Sequence, residues 1–264
     1  MTTPAPGDAV HLPSDETTAL RLEADEVHLW WGSVEAVESL DAARGWLSDE
    51  ERHRGERFRR ERDARAFCFR RAFRRWILAR YVGVAPRELA FDAGADGKPF
   101  LVGAEGPCFS ASCSGEHVLV GVTRARPLGV DVERGDPRLA EREELSRLAR
   151  RVLSAREQRD FGRMAEDQRE PAFLRAWARK EAWLKASGIG LAREPATLHV
   201  GLEPRQGERL LAESPFASVG ARSLDLAAPP ACAASLVVAA HAEERLRYRA
   251  DVLRLPGGPT IRAR

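Results

Sequence analysis

Leu128-Gly129-Val130-Asp131-Val132-Glu133 is the stretch on which the reading of this chain turns. Apolar and acidic residues alternate, so in a strand Val130 and Val132 face one way and Asp131 and Glu133 the other. The turn residues Arg124 to Pro127 lead into it and Gly135 follows, which predicts a short strand over 128–133. Two carboxylates on one face repel each other, and a hard cation removes that repulsion. Mg²⁺ takes one or two carboxylates and completes its shell with water and phosphate oxygen. On spacing alone the favoured reading of the pair is the polar side of a half-exposed edge strand, the commoner use of Asp-x-Glu.

Downstream, residues 138–161 and 171–187 carry apolar residues at helical spacing: Leu139, Leu145, Leu148, Val152 and Leu153 in the first, Phe173, Leu174, Trp177 and Leu184 in the second. In the second helix Glu181 and Lys185 lie one turn apart, and Gly188 follows as a stop signal. They can form a surface ion pair worth about 0.3–0.5 kcal/mol. They can equally supply a third carboxylate and a phosphate contact beside the acidic strand. Further strands are expected at 197–200 and 235–239.

Upstream, 27–31 reads as a buried strand, and Ser48 before Asp49, Glu50 and Glu51 predicts a helix start. A second helix is expected from about Asp63 to near Val84, with Ala66, Phe69, Phe73, Trp76 and Ile77 on a buried side and Arg70, Arg71, Arg74 and Arg75 on a basic one. Strand-like runs follow at 89–91, 100–102, 108–112 and 118–123. Helix and strand thus occur on both sides of residue 125. The expected fold class is α+β, two similar halves in a pseudo-twofold arrangement. The expected division is a disordered segment 1–18, halves 19–125 and 126–245, and a tail 246–264.

The 264 residues, 44% of them hydrophobic, suffice for a substantial core. No leader pattern or span of about 20 apolar residues is present, so no membrane partner and a cytoplasmic location are expected. Cys68, Cys108, Cys113 and Cys232 show neither disulfide-framework nor metal-ligand spacing. The net charge of +2 conceals an asymmetry: residues 52–80 hold twelve arginines against Glu56, Glu61 and Asp63, an excess of nine positive charges, which leaves the remainder about seven negative. Only Lys98, Lys180 and Lys185 are lysines among 42 basic residues. An ammonium is a compact point charge able to approach phosphate without a planar fork, so each lysine draws attention to its neighbourhood.

Gly129-Val130-Asp131-Val132-Glu133 and Trp177-Ala178-Arg179-Lys180-Glu181-Ala182-Trp183-Leu184-Lys185-Ala186-Ser187-Gly188-Ile189-Gly190-Leu191 together resemble the signature pair of Sfp-type 4′-phosphopantetheinyl transferases. The resemblance extends upstream through Leu47-Ser48 to Arg57-Phe58, Asp63 with Arg70-Arg71, Gly97-Lys98-Pro99 and Phe109 to Ser114, and covers roughly 27–240. It implies the phosphopantetheinyl transferase fold and transfer of the phosphopantetheine of coenzyme A to a serine of an apo acyl or peptidyl carrier protein, releasing 3′,5′-ADP. By the same resemblance Asp131, Glu133 and Glu181 hold Mg²⁺, with Mn²⁺ as an alternative. Lys185 and Lys98 contact phosphates, Ser112 and Cys113 lie at the coenzyme A site, and Arg54 and Arg70 face the 3′-phosphate. Glu181, Lys185 and Asp131 are the expected catalytic residues, Glu181 as base.

One position departs from the family pattern. Cys113 stands where the family has histidine, and a thiol is a weak donor. Residues 138–161 offer a surface for carrier docking, through Leu139, Leu145 and Leu148 with Arg142, Arg147 and Arg150, although leucines at helical spacing more commonly pack the core, and that is the favoured reading. A monomer is expected. The rival reading is a nucleic-acid-binding module on the arginine-rich helix, without sequence specificity because no base-reading motif accompanies it.

Overall fold

The computed structural model describes residues 19–36, 40–94, 97–103, 106–136, 142–188, 193–216 and 219–252, so the expectation of disorder over 1–18 lies outside the described residues. In chain order the first half contains β1 (Glu26–Ser33), α1 (Asp41–Arg44), α2 (Asp49–Glu56), α3 (Glu61–Val82), β2 (Phe91–Ala93), β3 (Pro99–Leu101), β4 (Cys108–Ser114) and β5 (His117–Thr123). The second contains β6 (Leu128–Arg134), α4 (Arg142–Val152), α5 (Ala155–Arg163), α6 (Glu166–Ser187), β7 (Arg209–Leu210), β8 (Ala221–Leu226), β9 (Cys232–Ala239) and β10 (Arg247–Val252).

The fold is mixed α+β. One four-stranded sheet has the order β10-β1-β5-β4 and the other β6-β9-β8-β7, with β2 and β3 forming a separate hairpin. Each large sheet carries one long helix of 22 residues, α3 on the first and α6 on the second. Val27, Leu29 and Trp31 of β1, with Leu119 of β5, meet Val130, Val132, Leu236 and Val238 of the second sheet in one cluster, so the two sheets share a core. Trp30 points the other way, into the cluster around α3. This is the alternation of a strand buried on both faces.

The expected helix start at Ser48 is present as a reciprocal cap: Ser48 Oγ accepts from the Glu51 amide at 3.2 Å, and Glu51 returns the bond to the Ser48 amide at 3.3 Å. α3 corrects the expectation of one basic side. Arg74, Arg75 and Arg80 are buried. Arg75 reaches Glu51 at 2.5 Å and the carbonyls of Pro86 and Leu89, while Arg74 stacks 4.3 Å from the centre of the Phe91 ring. The Arg75 guanidinium is inside because Glu51 and two carbonyls receive it, and those of Arg74 and Arg80 lie against the Phe91 and Trp76 rings.

Four other boundaries differ from expectation. The strand expected at 89–91 begins at Phe91, because Leu89 caps the 3₁₀ turn Pro86–Glu88. The stretch 138–161 breaks into two helices at Ser154, whose hydroxyl accepts from the Glu157 amide while the Glu157 carboxylate takes the Ser154 amide. Residues 197–200 form no ladder; the Val200 amide donates to Glu157 at 2.7 Å and the Leu198 carbonyl accepts from Lys180 at 2.7 Å. A buried ion pair, Lys180 with Glu157 at 2.7 Å, thus takes the place of a strand partner. Finally, the supposed tail supplies β10, which pairs in parallel with β1 from Glu26 with Arg247 to Trp31 with Val252. Residues 253–264 lie outside the described residues.

Candidate active site

The site forms where β4 of the first sheet runs beside β6 of the second. No backbone ladder joins them there; alternate serines of β4 do. Ser110 Oγ accepts from the Val130 amide at 3.1 Å, Ser112 Oγ donates to Asp131 Oδ1 at 2.7 Å, and Ser114 Oγ accepts from the Arg134 amide at 3.1 Å and donates to Glu133 Oε2 at 3.2 Å. Period-two alternation puts all three hydroxyls on one face of β4. Short side chains let the two backbones approach.

α6 lies against the same strand, and Gly129 is the reason it can. A Cβ there would sit 2.1 Å from the Ala182 carbonyl oxygen and 2.4 Å from the Ala186 nitrogen, so only a residue without one permits this helix-to-strand contact. Trp177, Glu181 and Lys185 then recur one turn apart along the face of α6 toward β6. Trp177 Nε1 donates to Glu133 Oε1 at 2.5 Å, and Lys185 Nζ lies 2.6 Å from Asp131 Oδ1 and 2.9 Å from Ser112 Oγ.

Asp131 is 2% exposed, which removes the reading of this strand face as solvent-facing. Its Oδ2 is buried with no hydrogen-bond partner among the described residues. Burial pushes its carboxyl above the ordinary range, against the opposing pull of Lys185 and Ser112. Glu133 is pushed up to about 7, first by burial and then by the neighbouring Asp131 charge. Glu181 is also raised, by burial and by Asp131, with Lys185 opposing. Glu181 has no hydrogen-bond or ion-pair partner among the described residues, which leaves its carboxylate able to accept a proton.

Among the described residues no group of three His, Cys, Asp or Glu side chains closes into a metal cage. Mg²⁺ does not require one, since it is commonly held by one or two carboxylates with water and phosphate. A bare buried carboxylate oxygen, and three carboxyls raised by burial and by one another, are the chemistry a hard cation would relieve. The residues present therefore fit such an ion through the open Oδ2 of Asp131 and the carboxylate of Glu181, while Glu133 beside them already accepts on both oxygens.

Beside the seam opens a cleft of about 890 Å³ lined by Arg70, Arg71, Arg74, Phe91, Ser112 and Cys113, among others. Arg70 donates to the Gly115 carbonyl at 2.9 Å, steadying the turn next to exposed Cys113. Arg54 lies in an adjoining recess with His53 and Arg57, joined to the cleft at Phe58, and its guanidinium is 5.4 Å from the centre of the Phe67 ring. Lys98 lines a different pocket, and its ammonium donates to the carbonyls of Leu128 at 2.9 Å and Lys185 at 2.8 Å. A cation there satisfies the C-terminal carbonyls of α6. Lys180, 1% exposed, is occupied by Glu157 and three carbonyls.

The structure therefore brings Ser112, Asp131, Glu133, Glu181 and Lys185 together, with Arg70 and Cys113 along the cleft. Arg54 is one recess away, and Lys98 is tied to main chain. Sequence reasoning did not assign Ser114 or Trp177 a partner; the Ser110-x-Ser112-x-Ser114 alternation and the one-turn spacing of Trp177 from Glu181 were the available signals. In the stretch proposed for carrier docking, Leu145 is buried and Leu148 packs against the same core cluster, so these leucines serve packing. Arg147 pairs with Glu144, and Leu139 lies outside the described residues.

The sequence model of the 4′-phosphopantetheinyl transferase superfamily matches residues 127–235, the segment holding β6 and α6. 4′-Phosphopantetheinyl transferase HetI of Nostoc sp. is 34% identical over 195 residues, spanning 72% of this chain and 80% of that protein. L-Aminoadipate-semialdehyde dehydrogenase-phosphopantetheinyl transferase of Xenopus laevis is 33% identical over 152 residues, 55% of this chain and 50% of that protein. 4′-Phosphopantetheinyl transferase psf-1 of Bacillus pumilus is 29% identical over 158 residues, 60% of this chain and 64% of that protein. A mixed α+β fold with a carboxylate and ammonium cluster beside a basic cleft is the build of a group-transfer enzyme. The chain belongs to the 4′-phosphopantetheinyl transferase superfamily.

Proposed function

We propose that the chain is an Sfp-type enzyme that transfers 4′-phosphopantetheine from coenzyme A to a serine of an apo acyl or peptidyl carrier protein, with Mg²⁺ or Mn²⁺ and release of 3′,5′-ADP. The observation that carries this reading is the bare Oδ2 of buried Asp131, set among Glu133, Glu181 and Lys185 and next to the arginine-lined cleft. Arg70 and Arg71 supply charge for the nucleotide phosphates, and Arg54 extends that field toward the adjoining recess. Asp131, Glu133 and Glu181 would hold the divalent cation, which would supply positive charge against the pyrophosphate.

The residues of the chain divide the remaining work. Glu181, its carboxyl raised by burial and without a protein partner among the described residues, would give one oxygen to the cation and take the proton of the carrier serine hydroxyl on the other. The serine oxygen forms its bond to the phosphorus bearing pantetheine, and the bond from that phosphorus to the oxygen of 3′,5′-ADP breaks. Lys185 offsets the charge developing on the leaving phosphate. Trp177 and Ser114 fix both oxygens of Glu133, so that carboxylate is oriented in advance. The rival use of the arginine-rich segment on nucleic acid is weakened because Arg74, Arg75 and Arg80 are spent inside the fold.

The test is intact-mass analysis of a panel of apo carrier proteins incubated with coenzyme A, Mg²⁺ and this protein. A gain of one phosphopantetheine on serine, abolished by excess chelator, is the expected result. No gain on any carrier, or full transfer in chelator, would overturn the activity or the metal requirement respectively.

A further inference from the structure

Lys185 places its charge against the protein itself. Its ammonium is 2.6 Å from Asp131 Oδ1 and 2.9 Å from Ser112 Oγ, at the edge of the cleft that Ser112 lines. We infer that Lys185 is a resident counter-ion that competes with the divalent cation for Asp131, and that arrival of the cation releases it to the substrate's pyrophosphate. The inference rests on the proposed cation and coenzyme A site and adds an exchange to it.

A carboxylate that is 2% exposed is held in its charged form by a compensating charge beside it. Lys185 provides it while no cation is bound. A divalent ion drawn to Asp131 then places like charge beside the ammonium, and pyrophosphate offers the displaced ammonium a new partner. Lys185 can make that move: its side chain is 29% exposed, whereas that of Lys180 on the same helix is 1% exposed and fully engaged. Lys98 meanwhile grips the main-chain carbonyl of Lys185 at 2.8 Å, so the stem can swing from a fixed backbone. A four-carbon stem with three rotatable donors suits such a transfer better than a guanidinium fork.

Because the chain contains only three lysines, [ε-¹³C]lysine labelling gives three resonances, assignable by substitution. On adding Mg²⁺ without coenzyme A, the Lys185 signal should shift while those of Lys98 and Lys180 stay. Independently, electron paramagnetic resonance of free Mn²⁺ should show Lys185→Met binding the ion at least about threefold tighter than the native chain, since a competing positive charge is gone. The same variant should bind coenzyme A in Mg²⁺ about tenfold more weakly. Lys185→Arg, which keeps the charge, should stay within about twofold of native for Mn²⁺.

An unmoved Lys185 signal at saturating Mg²⁺ overturns the exchange, as does unchanged or weakened Mn²⁺ binding by folded Lys185→Met, or equal tightening by Lys185→Arg. The resonance experiment uses the native chain and stands even if a variant does not fold. A native chain that binds no Mn²⁺ overturns the cation reading itself. One that binds it and transfers phosphopantetheine, with Lys185 unmoved, overturns the exchange alone.

Discussion

Cys113 is exposed on the lining of the cleft, next to Ser112 and the turn that Arg70 holds, so its side chain can be judged by what it offers a phosphate. A thiol offers one weak donor; histidine offers one good donor when neutral and two when charged. Cys113→His should therefore tighten coenzyme A binding, and Cys113→Ser should be nearly neutral, as read from steady-state KM with folding checked by circular dichroism. A severe loss in the serine variant would show that the thiol has a role of its own. Asp131→Asn keeps the shape and an acceptor for Ser112 but removes the charge, and transfer should fall about 10²–10³-fold or more. Thermal stability should change little, because Lys185 is partly exposed and can turn to water. That the Asp131 and Glu133 side chains share a face was legible from alternation alone. The burial of Asp131 was not, because it depends on three serines of another strand and on a helix some fifty residues away.

α6 and β6 form the contact that decides whether the site exists. Gly129→Ala would drive a methyl group into the Ala182 carbonyl, so helix and strand must part, at a cost of about 3 kcal/mol or more. Chemical denaturation and carrier modification should both register it, and full activity with native stability would contradict the close packing. The Lys180 and Glu157 pair is the second fixture of α6, and Lys180→Met should cost about 3–5 kcal/mol by leaving a buried carboxylate unmatched. A midpoint in urea close to native would show that Glu157 finds other partners. The cap signal that predicts α2 and the periodicities that predict α3 and α6 are local, and those helices appear close to where the sequence puts them. α3 differs in having arginines inside, since periodicity reports which residues are polar and not whether Glu51 and two carbonyls wait to receive them. The region 197–200 failed as a strand for a related reason. Its apolar residues are buried, yet side chains from α5 and α6 satisfy its backbone.

The whole molecule is held together at two seams, one through the serines of β4 and the other through β10. At the second, buried His28 Nδ1 lies 2.7 Å from the Tyr81 hydroxyl, which itself accepts from Trp30 Nε1, with Glu26, Arg249 and Asp251 nearby. Burial lowers the His28 pKa below its ordinary 6.5, with Glu26 opposing and Arg249 assisting. Between the folded and unfolded values the unfolded chain binds a proton that the folded chain does not, so this contribution to stability is present above about pH 6.5 and lost as pH falls. Relative to His28→Gln, the native chain should lose thermal stability progressively from about pH 7 to 5; parallel curves would show that His28 titrates as in the unfolded chain. The two-half architecture was legible from the order of patterns along the chain, but the parallel pairing of residues 247–252 with 26–31 was not, since nothing local announces a partner so distant.

That pairing has a consequence during synthesis. Glu26 meets Arg247, so at about 5–20 residues per second β1 leaves the ribosome roughly ten to forty seconds before its parallel neighbour exists. Throughout that interval a strand reading Val27-His28-Leu29-Trp30-Trp31 has one unguarded edge, the kind that recruits strands from other nascent chains. Slower elongation lengthens that exposure, and premature termination anywhere before residue 247 makes it permanent. Truncated products should therefore collect in the insoluble fraction even when every residue of the carboxylate and lysine cluster has been made.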